Sequence, residues 1–484
     1  MKGSVYIIME NSTLENSYKN EKLEEFNNYL KKSKVAVIGL GVSNLPLIEY
    51  LHKLKANVTV FDNKEIDKID NNLINQIIDY GMNFSFGKDY LRKLQGFDII
   101  FRSPSCLPTV PELAKETERG AIVTTEVEMV LELTPSKVIG VTGSDGKTTT
   151  TTLISKVLEA GGKKVFLGGN IGYPLFTRIA EMTPDDFVVL ELSSFQLMNM
   201  KISPNVSVIT NITPNHLNIH SSMEEYIEAK QNIFQYQKPE EVVILNYDNE
   251  ITRKCGEIAN SRVIYFSSKE KLENGYIVDD GKIKFCQNGL RSHILDTKNI
   301  ILKGKHNAEN ICAVLAATKD FVDVETAVKT ISEFKGVEHR IELVKETENR
   351  VKWYNDSASS SPTRTIVGLN SFALRNIILI AGGYDKNLDY APLAKPILDN
   401  CKELILIGQT ADKIENAVLD EMEKSTKKVN IYKCQTLEQT IMLAKRLAKS
   451  GDVVLFSPAS ASFDMFKNFA DRGNQFKKLV NEKA

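Results

Sequence analysis

Residues 138–152 read VIGVTGSDGKTTTTT, a spacing suited to polyphosphate chemistry. Val138, Ile139, Gly140 and Val141 predict a short buried strand. Gly143-Ser144-Asp145-Gly146 turns the chain, and Lys147-Thr148-Thr149 opens a helix carried on by Leu153, Val157 and Leu158. Backbone N–H groups at such a helix start converge on one point and, with the Lys147 ammonium, form a cradle for phosphates; the Thr148 hydroxyl can reach the accompanying Mg²⁺. A strict P-loop has glycine five residues before Gly146; Val141 stands there, and the additional glycine is Gly143, so the loop is a variant. Further on, Glu191 ends the apolar run 187–190, at the carboxyl end of a predicted strand, where open α/β sheets gather ligands. Another run, 206–210, leads to His216 and His220, and a predicted helix over 223–234 sets Tyr226, Lys230 and Phe234 on one face. Taken singly, each has an ordinary explanation: a capping carboxylate, a solvated lysine, a histidine that supports a ligand. Together they converge on the mouth of one sheet.

These groups need a scaffold of strands and helices, and the sequence predicts three α/β units, over 1–125, 126–336 and 337–484. A chain of 484 residues exceeds what one core holds. In the first unit a strand from Lys34, the turn Gly39-x-Gly41, a helix through Leu45, Leu47, Ile48 and Leu51, and a strand ending at Asp62 make a Rossmann pattern. Asn44 holds the place of the third glycine, so a nucleotide-binding fold without redox chemistry is the preferred reading. An NAD-linked oxidoreductase built on Gly39-x-Gly41 is the rival from another class. Residues 240–300 read as short strands and turns without nameable chemistry. The doubly wound pattern returns with strands over 376–380, 403–407 and 453–456. The formal net charge of -1 argues against a nucleic-acid or membrane-surface partner. Six cysteines without C-x-x-C spacing suggest neither a disulfide framework nor a zinc cluster and fit a reducing cytoplasm. The apolar run 5–9 is too short for a signal or membrane segment, so a soluble, unprocessed protein is expected. A monomer is expected as well.

Several motifs occur in the order of a known family. Gly143-x-x-Gly146-Lys147-Thr148, Glu191-Leu192-Ser193-Ser194-Phe195-Gln196, His216, Gly304-x-His306-Asn307, His339-Arg340 and Asn355-Asp356-Ser357 resemble those of the Mur ligases, and the resemblance runs from Lys34 to Val480. It implies three consecutive α/β domains, Rossmann-like first and last domains around a central P-loop ATPase-like domain. It also implies a cytoplasmic, ATP- and Mg²⁺-dependent ligase of peptidoglycan synthesis. The ending Ser457 to Phe469 resembles the members that add D-glutamate to UDP-N-acetylmuramoyl-L-alanine through an acyl phosphate. By that resemblance, Gly143 to Thr149 with Asn307, Asn310, Arg340 and Asp356 hold ATP. Thr148, Glu191, His216 and a carbamylated Lys230 hold metal, and Lys147, His216 and Lys230 are catalytic. Gly39, Gly41, Ser43, Asp62, Ser103, Asn170 and Ser193 hold the UDP substrate, and Lys386, Ser462 and Phe469 take D-glutamate. Two places depart from the family pattern: Asn215 and Asn218 flank His216 where the family usually has aspartates, and Ala358 stands where it often has lysine. Arg364 is the first cation after Asp356, and it or the hydroxyls of Ser359 to Ser361 are the candidate replacements.

Overall fold

The computed structural model describes residues 18–41, 43–215, 219–302, 304–372, 375–386 and 388–482. These form two compact units, interleaved in sequence. The first takes in the described residues up to Asp145, then Gly162–Leu245 and Ile251–Val263; the second takes in Gly146–Gly161, Asn246–Glu250 and the described residues from Ile264 on.

The first unit contains a fully parallel five-stranded sheet in the order Asn83–Phe86, Asn57–Asp62, Lys34–Ile38, Ile99–Arg102, Ile122–Thr124. Its central strand, KVAVI, is buried from Val35 to Ile38, as expected of a parallel strand covered on both faces. The helix Asn44–Lys53 buries Leu47, Ile48 and Leu51, but Leu45, expected on that stripe, is exposed. Asn20 caps the helix Glu21–Lys32 by accepting from the Leu23 N–H, and Leu23 and Leu30 anchor that helix. A second parallel set runs Val242–Asn246, Val206–Ile209, Lys137–Thr142, Phe187–Glu191, Val165–Gly169. In both sets the chain winds outward in opposite directions from one strand, which opens a crevice at the strand's carboxyl end. Gly39 and Gly143 lie at those ends.

In the second unit the helix Lys147–Ala160 packs against Lys305–Thr318, which is buried along nearly its whole length. The strand Arg262–Ser267 pairs in parallel with Gly275–Asp279, which continues antiparallel into Lys282–Gln287 and Leu290–Asp296. The β-rich reading of 240–300 therefore holds, apart from the helix Glu250–Ile258. A six-stranded sheet follows in the order Glu342–Glu346, Lys352–Asn355, Val453–Phe456, Ile377–Ala381, Cys401–Ile407, Asn430–Cys434. Only its first pair is antiparallel. Isoleucines and leucines of its central strands fill one apolar cluster on each face. Both units are α/β with parallel-rich sheets. Among the described residues no helix is long and apolar enough to cross a membrane.

Candidate functional site

The phosphate-loop residues Gly143 to Asp145 are shaped by the strand next door. Gly143 has φ +149°, and a Cβ there would sit 1.9 Å from Thr210 Oγ1, so only glycine fits. The Ser144 N–H donates to Asn211 O at 2.8 Å and the Asp145 N–H to Asn211 Oδ1 at 3.0 Å. Those two amides are both engaged by Asn211. Ser144 Oγ donates to Thr213 O at 2.9 Å or shares its proton with Tyr226 OH at 3.0 Å.

Lys230 arrives at the same loop from the helix Met223–Gln231. That helix ends three residues earlier than its pattern predicts, because the N–H groups of Ile233 and Phe234 turn back to Lys230 O and Gln231 O. The Lys230 side chain is not solvated: the residue is 1 % exposed, and Nζ donates to Gly143 O at 2.9 Å and to Thr142 Oγ1 at 3.3 Å. Nζ also lies 4.7 Å from the centre of the Tyr226 ring. The buried Nζ, donating to the carbonyl side of the turn, fixes the turn's orientation.

Glu191 ends its strand buried, as expected. Asn170 Nδ2 donates to Oε1 at 2.8 Å, and the Asn170 N–H donates to the Glu191 carbonyl at 2.8 Å. Gly169, at φ +89°, lets that turn approach, since a Cβ would meet Glu191 O at 2.2 Å. Glu191 Oε2 is buried and has no hydrogen-bond partner among the described residues. An orphaned carboxylate oxygen fits a hard divalent cation such as Mg²⁺. Among the described residues there is no group of three or more His, Cys, Asp or Glu side chains able to hold a metal. Mg²⁺ needs no such cage, because it commonly keeps water and substrate phosphates as most of its ligands. His216 and Asn218 lie outside the described residues. His220 is a supporting group: its Nε2 pairs with Ser194 Oγ at 2.9 Å, its ring stacks on Phe195, and burial lowers its pKa. The Ser193 hydroxyl is occupied in a capping box with Gln196 that starts the helix Ser194–Leu197.

At the crevice of the five-stranded sheet Gly39 has φ +95°, and a Cβ would fall 2.7 Å from Ser103 Oγ. The Asp62 carboxylate accepts from the N–H groups of Leu40, at 2.7 Å, and Lys64, at 2.9 Å. Asn44, in place of the third glycine, is buried and donates to Ile38 O and Gly39 O, so it braces the turn itself. Gly41 faces open space and Ser43 is half-buried. Arg102, which sequence reasoning passed over, is buried and donates to the carbonyls of Cys106, Phe195 and Met198. No local pattern marked it.

In the second unit Gly146 begins the helix at φ +82°, and Asn310 Oδ1 lies 2.4 Å from where its Cβ would be. Asn310 Nδ2 donates to Asn307 Oδ1 at 3.3 Å, which brings both asparagines to the start of the helix that carries Lys147, Thr148 and Thr149. Arg340 sits between His339 (φ +63°) and Ile341 (φ +47°), left-handed conformations that are strained for these residues. The Ile341 N–H and Ser457 Oγ donate to Asp356, and burial pushes that carboxyl up to about 6. Ala358 is buried, and the exposed Arg364 donates to its carbonyl at 3.4 Å. Lys386 is exposed, 5.6 Å from the Phe463 ring centre; Ser462 is buried; and half-exposed Phe469 receives the Ser357 hydroxyl on its carbonyl at 2.8 Å.

Three family models match the chain: the Mur ligase MurD-like N-terminal domain over residues 33–125, the Mur ligase middle domain over 141–318, and the Mur ligase glutamate ligase domain over 339–460. The chain is 50% identical over 464 residues to the UDP-N-acetylmuramoylalanine--D-glutamate ligase of Acetivibrio thermocellus, covering 96% of this chain and 99% of the relative. It is 46% identical to the enzyme of that name from Clostridium tetani, covering 95% and 99%. Among solved structures, UDP-N-acetylmuramate-alanine ligase from Thermotoga maritima superposes with a TM-score of 0.57 at 19% identity, covering 92% of this chain and 98% of that one. The MurF ligase of Thermotoga maritima in complex with ADP gives 0.55 at 19%, covering 88% and 96%. At such identity these structures share the fold.

Proposed function

The chain belongs to the Mur ligase family, and we propose that it joins D-glutamate to UDP-N-acetylmuramoyl-L-alanine in peptidoglycan synthesis, with cleavage of ATP. Identity of 50% across 96% of the chain to a ligase of that name carries the reading. The alanyl carboxylate oxygen attacks the γ-phosphorus of ATP, the bond to the β-bridging oxygen breaks, and ADP leaves. The amine nitrogen of D-glutamate then attacks the acyl carbon, phosphate departs, and the nitrogen loses its proton. Two anions must meet in the first step, so charge neutralisation dominates catalysis.

Lys147 and the helix start bind the β- and γ-phosphates in this reading, with Gly143 to Thr149 shaping the loop. Asn307, Asn310, Arg340 and Asp356 hold the rest of ATP. Mg²⁺, held by Glu191 and Thr148 and, at a second position, by His216 and carbamylated Lys230, would offset charge on the transferred phosphoryl group. The orphaned Oε2 of Glu191 supports the first position, and the burial of Lys230 against the loop supports a role beyond a surface lysine. Gly39, Gly41, Ser43, Asp62, Ser103, Asn170 and Ser193 take the UDP substrate, and Lys386, Ser462 and Phe469 take D-glutamate. The domain division is 1–125, 126–336 and 337–484, supported by the spans of the three family matches. A cytoplasmic, monomeric enzyme completes the reading.

The test is phosphate release with UDP-N-acetylmuramoyl-L-alanine, ATP and Mg²⁺ against a panel of amino acids. Turnover is expected only when the nucleotide sugar and D-glutamate are both present. Steady ATP hydrolysis without them, or equal turnover with L-glutamate, overturns it.

A further inference from the structure

Among the described residues, the roles above leave a fully buried cation unused. Arg472, on the helix Phe469–Asn481, is 1 % exposed, and all its acceptors are neutral oxygens. Nε donates to Ser357 Oγ at 3.0 Å and Nη2 to Ser357 O at 2.8 Å; Nη1 donates to Ser460 O at 3.1 Å and Ala461 O at 2.9 Å. Burial lowers its pKa to about 10, so it remains charged at neutral pH.

The two segments it grips are the ends of paired strands. Ser357 follows Asp356 after Lys352–Asn355, and residues 457–462 follow Val453–Phe456. The second segment is strained: Ala459 has φ +57°. Such a conformation persists where its surroundings over-determine it, and here Arg472 holds the next two carbonyls. From these residues the bonding spreads to the amino-acid side. The Tyr384 N–H donates to Ala461 O at 2.9 Å and the Gly382 N–H to Pro458 O at 2.8 Å, on the turn leading to Lys386. Ser460 Oγ pairs with Tyr390 OH and Thr410 Oγ1, both at 2.8 Å, and Ser357 Oγ donates to Phe469 O. A planar guanidinium serves four acceptors in a fixed fork; a lysine ammonium, one donor centre on a flexible stem, does not.

We propose that Arg472 is a positioning residue that couples the nucleotide-holding segment at Asp356 to the D-glutamate pocket at Ser462 and Phe469, so that both subsites form together. The proposal rests on the residue roles given under Proposed function. It predicts a signature that general destabilisation lacks: the two coupled subsites fail together while the UDP-substrate subsite does not.

The full-length protein and its Arg472→Lys and Ser357→Ala variants are assayed by phosphate release, with a melting curve for each. In Arg472→Lys, kcat should fall and the KM for D-glutamate rise by about tenfold or more. The KM for ATP should rise about threefold, and that for the UDP substrate should stay within about twofold. Ser357→Ala, which removes one acceptor, should move the same parameters by about threefold. Unchanged kcat and D-glutamate KM in both variants overturns the proposal, as does a parallel rise of all three KM values with a lowered melting temperature. If Arg472→Lys fails to fold, Ser357→Ala decides by the same criteria. Failure of the unaltered protein to use D-glutamate refutes the functional reading instead, and that arm is read first.

Discussion

Replacing Gly146 by alanine tests the glycine loop where it enters the helix Lys147–Ala160. The residue sits at φ +82°, where a side chain costs about 1–2 kcal/mol. The new Cβ would also lie 2.4 Å from Asn310 Oδ1, and Asn310 cannot swing away freely because it is buried and bonded to Asn307. Crowding of that kind costs about 1–3 kcal/mol. If the helix start relieves it by shifting, the whole sum, about 2–5 kcal/mol, is withdrawn from the ATP-competent loop, and kcat/KM for ATP should fall about 30- to 5,000-fold. The control is Gly451→Ala: φ is +86° with nothing within 4 Å of the Cβ, so it should lose about 1–2 kcal/mol of stability and no activity. Phosphate release at varied ATP, with urea unfolding of each variant, separates the terms. In Gly146→Ala/Asn310→Ala the stability losses should be less than additive. Gly146→Ala with kcat/KM for ATP within about threefold of the parent would refute the reasoning.

Lys230→Ala should lower kcat by at least about 10²-fold, since it removes the buried group that grips Gly143 O; full activity would exclude a role in the reaction, and intact-mass spectrometry of the parent tests for a carbamate. Lys386→Ala should raise the D-glutamate KM about tenfold, a loss of about 1.4 kcal/mol, with the ATP KM little changed; equal effects on both would remove Lys386 from the amino-acid pocket. Asp356 gives a pH test. Its folded pKa, raised from 3.8 to about 6 by burial, means that the folded protein binds the proton more tightly than the unfolded chain, so stability falls as pH climbs from about 4 to about 6. At about 1.4 kcal/mol per pH unit, the ionised carboxylate costs up to about 3 kcal/mol above that window. Asp356→Asn should therefore be the more stable protein in urea unfolding at pH 8 and equal to the parent at pH 4, while losing activity. No difference between the two pH values would refute a buried, raised carboxyl.

Features written in contiguous residues are legible in the amino-acid sequence alone. Parallel strands buried on both faces are continuous β-branched runs, which is why Lys34–Ile38, Lys137–Thr142 and Val453–Phe456 stand out. The phosphate loop needs its glycines, lysine and threonine side by side, and the motif order alone carries the family and the α/β fold. Tertiary structure decides whatever depends on residues meeting across the chain. Asn211 takes the Asp145 amide from 66 residues away, Lys230 grips the Gly143 carbonyl from 87, and Arg472 reaches Ser357 from 115. Such bonds leave no periodic trace. An isolated lysine on an amphipathic helix reads the same whether it points into water or into a loop, and only packing of the Met223–Gln231 helix distinguishes them. The same holds for Asn44, whose type looks like a lost glycine although its amide braces the turn. Local spacing specifies which chemistry a segment can offer; the partners that hold it in place come from folding, because burial and long-range hydrogen bonding depend on the whole chain.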